Sequence, residues 1–170
     1  MTTTTLWPPR TSDRSALLHA YADVLAWPLI VSTRLVTADQ AEQQLAGDPA
    51  TAVFTTCAAV DAVTVAHDAG MTALVRLERR GIGPVPCFAA GHRTLTFLVR
   101  AGSGQDLGGL DGASIATGTG WRVEIPPSPG VRWDTPPWSC TEREALMLCP
   151  ASDLRRDISE ALHFHRNAPR

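Results

Sequence analysis

The sequence contains no lysine, and all fifteen of its basic residues are arginines. This excludes Schiff-base chemistry and the phosphate-binding lysine of a Walker loop. With the abundance of Ala, Gly, Pro and Thr, it reads as coding bias rather than function. Cysteine is sparse: Cys57, Cys87, Cys140 and Cys149 form no C-x-x-C pair. Neither a zinc knuckle nor a thioredoxin-type motif is therefore written here, and four buried free thiols are expected. No apolar run is long enough to span a bilayer, and the first ten residues lack the apolar core of a signal peptide. A cytoplasmic protein with no membrane partner is the expectation. A net charge of −2 leaves no strongly basic surface for tight non-specific binding of nucleic acid.

What remains is ordinary globular material, 170 residues with 44% apolar content, enough for one core without disulfides. Residues 1–11 read as a flexible N-terminal arm, and residues 12–166 as a single domain ending in a helix. Ser12 is placed to cap a first helix carrying Leu17, Tyr21, Val24 and Leu25, which Pro28 stops. A strand follows over residues 29–32. Thr37 and Gln40 have capping-box spacing, opening a helix that ends near Gly47. Strands are expected over 51–57 and 60–65, with Asp61, Val63 and Val65 on one face and Val60, Ala62 and Thr64 on the other.

Asp68 can cap a helix whose stripe is Met71, Leu74, Val75 and Leu77, and Gly81 supplies its stop. Leu74 and Leu77 should be well buried. Residues 84–89 and 94–100 flank a turn and read as a hairpin. Further strands are expected over 113–117, 121–125 and 131–133. Thr141 and Glu144 repeat the capping-box spacing, and Ser152 can cap a last helix. The order of elements predicts an α+β fold, a mixed β-sheet with helices packed against it.

Candidate chemistry is thin. His163 and His165, two apart on a helix, point to different faces and read as solvent-facing. His67-Asp68 has no nucleophile beside it in sequence, and His92 falls at a turn. The glycines between 102 and 112 match no phosphate-loop pattern. Gly118-Thr119-Gly120-Trp121-Arg122 has two readings. An aromatic beside an arginine suits a base and a phosphate, but a plain hairpin with Trp121 in the core is simpler. The segment 126–138, with Trp133, Trp138 and five prolines, reads either as a strip for a protein partner or as an irregular cover over the sheet.

Four segments in order resemble the Prim-Pol domain, the N-terminal domain of bifunctional DNA primase–polymerases in the archaeo-eukaryotic primase superfamily, in its small stand-alone form. The first is an alanine-rich helix running into Trp27-Pro28. The second is Val60-Asp61-Ala62-Val63-Thr64-Val65-Ala66 with the helix through Arg80-Gly81. The third runs from Gly83-Pro84-Val85 to Gly91-His92-Arg93-Thr94-Leu95-Thr96-Phe97. The fourth is Gly118-Thr119-Gly120-Trp121-Arg122-Val123 and onward to Pro136-Pro137.

The resemblance implies a site with two acids on one strand, a histidine on a hairpin and a third acid on a later strand, together holding divalent metals and a nucleotide. In this sequence the acid pair falls at Thr64 and Ala66 and the histidine at Thr94, with His92 two residues early. The third acid has no counterpart between residues 113 and 119. The expectation is therefore a catalytically degenerate Prim-Pol-like domain with no catalytic residue, metal site or cofactor. It would serve as a module for weak binding of nucleotide or single-stranded nucleic acid, or for protein interaction. The candidate ligand-binding residues are Asp61, His92, Arg93, Trp121 and Arg122. One alternative is an active primase–polymerase or nucleotidyltransferase using relocated acids Asp61, Asp68 and Asp111. Another is an accessory subunit docking on a larger partner through residues 126–138.

Overall fold

A computed structural model describes residues 7–167; the first six positions of the expected arm lie outside them. From Trp7 onward the arm makes contact with the domain. The Trp7 indole donates to the Ser139 carbonyl at 2.9 Å and meets Trp138 edge-on at 6.1 Å. Helix α1 (Arg14–His19) is capped by Asp13, whose carboxylate accepts from the Ala16 amide at 3.0 Å. Asp13, one residue beyond the expected Ser12, makes the cap. The helix then widens into a π-helical turn, Ala20–Val24.

Strands β1 (Leu29–Val31) and β2 (Arg34–Val36) form a hairpin, followed by α2 (Ala38–Gly47). The capping box forms as its spacing predicts: the Gln40 amide donates to Thr37 Oγ1 at 3.2 Å, and the Thr37 amide to Gln40 Oε1 at 2.9 Å. Next come β3 (Val53–Thr56), β4 (Val60–Ala66), α3 (His67–Arg79), β5 (Cys87–Ala90) and β6 (Thr94–Arg100). A single 3₁₀ turn leads to β7 (Ala113–Ala116), β8 (Arg122–Ile125), β9 (Val131–Thr135) and finally α4 (Ser152–Asn167).

The fold is α+β, with helices packed on β-structure as expected, and its strands divide into two sheets. One has the order β2-β1-β3-β8 and the other β7-β4-β6-β5-β9, with antiparallel pairing throughout. In the second sheet β4 and β5, joined through α3, are separated by β6, a split β-α-β arrangement.

Alternation along the strands sets two cores. Val63 and Val65 of β4, with Leu95, Phe97 and Val99 of β6, face α3 and α4, where Leu74 and Leu77 are buried. Val75, assigned to that stripe, is exposed, and Ala73 takes its place. Gly70 lets α3 sit close to the sheet: a Cβ there would lie 2.6 Å from Leu95 Cβ. Asp157 of α4, almost fully buried, ties the two helices through ion pairs with Arg76 and Arg80.

The opposite face carries Val60, Ala62, Phe88 and Leu98, which meet α1, α2 and the smaller sheet. Here Tyr21 stacks on Trp27 at 5.7 Å and accepts from the Trp133 indole at 2.7 Å. Trp133 and Trp138 are therefore core residues. Within segment 126–138 both tryptophans fill the protein's own interior. The helix suggested by Thr141 and Glu144 is absent. Ser139 Oγ instead accepts from the Thr141 and Glu142 amides, each at 3.2 Å, and Trp138 bridges to Ala145. Among the described residues no helix is long and apolar enough to cross a membrane.

Candidate functional site

Where the two sheets part, the face of the larger sheet turned away from α3 and α4 opens into a cleft of about 190 Å³. Its floor is Ala62, Thr64, Thr96, Phe88, Ala90, Ala116 and Val131; its far wall is Arg122, Val123 and Glu124 of β8. The floor follows from strand alternation: Thr64 and Thr96 are direct partners across β4 and β6. Their hydroxyls lie 2.9 Å apart. The wall exists because β8 leaves the larger sheet and pairs with β3, setting Arg122 opposite Thr56 and Glu124 opposite Phe54.

That change of sheet overturns the hairpin reading of residues 113–125. β7 and β8 belong to different sheets, and Trp121, expected in the core, is 59% exposed beside Arg122. Arg122 lines the cleft, and the exposed Trp121 is its neighbour in the chain.

The remaining candidates divide. Ala66, His92 and Arg93 line a second hollow of about 260 Å³ with His67, Asp68, Ala69 and His165, at the start of α3. His92 and Arg93 are thus set apart from the cleft that holds Thr64 and Arg122. Thr94 is half-buried opposite Ala66 and lines neither cavity. Asp68 does not cap α3; the helix begins at His67, and Ala66 offers no side-chain cap. His165, expected to face solvent alone, has Nε2 at 2.8 Å from Thr72 Oγ1.

Asp61 is fully buried on the face turned away from the cleft. Its Oδ2 accepts from the Gly104 amide and from Thr117 Oγ1, both at 2.7 Å, while Oδ1 has no partner. The carboxylate holds the 3₁₀ turn and the end of β7 against β4. Asp68 sits in the exposed first turn of α3, and Asp111 pairs with Arg166 at 3.2 Å. The three acids suggested as relocated ligands therefore occupy three separate environments.

The divalent ions that the resemblance implies do not fit the residues at the cleft. Thr64 spends its hydroxyl on Thr96, Ala66 has no ligand atom, and Asp61 points the other way. Glu124, which sequence reasoning missed, is the one carboxylate lining the cleft among the described residues. Its signal was present: it stands two residues from Arg122 on one strand, hence on the same face. Two-metal chemistry needs several converging carboxylates, and a single glutamate does not supply them.

Cys57 and Cys87 are inert by burial. Desolvation, followed by the nearby Asp61 charge, pushes Cys57 up to about 11. Desolvation and then Asp134 push Cys87 up to about 12. Cys140, expected to be buried, is exposed. No family model, curated protein or solved structure matches the chain.

Proposed function

We propose that this chain is a catalytically degenerate Prim-Pol-like domain whose cleft binds a nucleotide or a short single strand without metal. The observation that carries the reading is the composition of the cleft. Arg122 stands in its wall, next in sequence to the exposed Trp121, and Thr64, one of the two positions where the resemblance places metal-binding acids, lies on its floor paired with Thr96. The split β-α-β order of the larger sheet supports it, because strand β4 presents position 64 to the cleft and not to α3 and α4.

The chemistry is that of a stacking platform. Trp121 offers a π-face to a base, worth about 1–3 kcal/mol per base, and Arg122 offers a planar fork to a phosphate. Glu124 and the net charge of −2 work against a polyanion, so binding is weak and falls with salt. A cleft of about 190 Å³ grips one base or one sugar-phosphate, leaving the rest of a ligand in solvent.

The test is fluorescence anisotropy of a labelled oligonucleotide at low salt, with and without a chelator. Binding that ignores the chelator and weakens about tenfold in Arg122→Ala supports the reading. Metal-dependent incorporation of nucleotide by the purified protein would replace it with an active enzyme. Absence of binding to mononucleotides and oligonucleotides alike would leave a protein-interaction role.

A further inference from the structure

On the smaller-sheet side, remote in sequence from the cleft residues, His19 ends α1 and faces the first turns of α2. One ligand atom each from His19, Asp39 and Glu42 lies within 4.8 Å of the others. We propose that these three residues form a binding site for a divalent transition metal of the zinc type, with water completing the shell.

The His19–Asp39 separation suits such an ion. Zinc bonds of about 2.0–2.2 Å to nitrogen and oxygen imply a tetrahedral ligand–ligand edge of about 3.3–3.6 Å. His19 Nε2 lies 3.4 Å from Asp39 Oδ1. Asp39 and Glu42 are three residues apart on α2 and so share a face, and the capping box fixes the turn that carries Asp39. The second ring nitrogen is held as a metal-bound histidine requires: His19 Nδ1 lies 3.3 Å from Asp23 Oδ2. A carboxylate on that nitrogen selects the tautomer that leaves Nε2 free for the metal. Asp23 itself belongs to the π-helical turn, a distortion that recurs at functional sites.

Charge points the same way. Three carboxylates surround one imidazole, and among the described residues no arginine pairs with Asp23, Asp39 or Glu42. The donor set favours zinc over magnesium, which takes oxygen ligands and holds its water. A bound ion fastens the end of α1 to the start of α2. The rival is a protonated His19 shared between Asp23 and Asp39, an arrangement to which metal is irrelevant.

The test uses untagged full-length protein stripped with a chelator, then titrated with zinc or magnesium by calorimetry and thermal melting. One equivalent of zinc is expected to bind and raise the melting temperature, while magnesium does neither. His19→Ala and the exposed Glu42→Gln should each weaken zinc binding by at least tenfold, and Asp23→Asn by about 10–100-fold. His165→Ala and Arg122→Ala should leave it unchanged. Zinc binding that survives in both His19→Ala and Glu42→Gln, or that is lost in His165→Ala, would overturn the site. So would the absence of any zinc binding by the wild-type chain.

Discussion

Thr64 Oγ1 and Thr96 Oγ1 lie 2.9 Å apart across β4 and β6, each completing the other's hydrogen bonding on the floor of the cleft. A carboxylate at position 64 would bring a charge to this half-buried pair and call for a cation. Two hydroxyls satisfy one another and call for none. The pair explains how the floor stays stable without an ion.

Asp61 acts as a structural acid. Replacing it with alanine removes two charge-assisted bonds and strands the Gly104 amide and the Thr117 hydroxyl. The cost is about 2–3 kcal/mol, a fall of roughly 5–10 °C in melting temperature for a chain of this size. Thermal denaturation of Asp61→Ala checks it. A variant melting like wild type would show that the carboxylate does not hold the turn.

Gly70 gives a prediction whose sign opposes helix propensity. Alanine in a helix interior ordinarily gains about 1 kcal/mol over glycine. Here the added methyl lies 2.6 Å from Leu95 Cβ and 3.2 Å from Val65 Cγ2, and overpacking costs about 1–3 kcal/mol. Because the nearest atom is a Cβ and cannot swing aside, Gly70→Ala should be net destabilising in chemical denaturation. A stabilised variant would mean that α3 is free to lift from the sheet.

Much of the fold is legible in the sequence where local chemistry decides it. The Thr37–Gln40 box, the alternation of Asp61, Val63 and Val65, and the Gly81 stop, with φ of 71°, each follow from neighbouring residues. Hairpin β1–β2 escapes because its turn uses Ser32 and Thr33 at φ of 51° and 85°, without glycine or asparagine to signal it. The cleft is only half legible. Alternation puts position 64 on the correct face, but a Gly-Thr-Gly turn cannot reveal that β8 joins another sheet. That long-range choice exposes Trp121 and makes the wall. For the same reason the meeting of His19 with Asp39 and Glu42 depends on how α1 packs on α2, which no local spacing encodes.

The raised thiols set an alkaline limit. Cys57 and Cys87 keep their protons in the folded protein up to about 11 and about 12, whereas the ordinary thiol value is 9.0. Above pH 9 the unfolded chain gives up these protons first, so stability is full below that value and declines as pH rises through the folded values. Melting temperature measured across this range should begin to fall near pH 9. Thiol labelling of the native protein at neutral pH should modify exposed Cys140 first and spare Cys57 and Cys87 until denaturant is added. Equal labelling of all four would contradict their burial.

A metal-free ligand cleft between the two sheets is tested most directly by amide and indole NMR shifts of ¹⁵N-labelled protein during titration with a short single-stranded oligonucleotide and chelator at low salt. The expected shifts concentrate at Thr64, Thr96, Arg122 and the Trp121 indole, with Asp61 and α4 quiet. No shifts at any concentration, or shifts confined to the hollow of His67, His92 and His165, would contradict it.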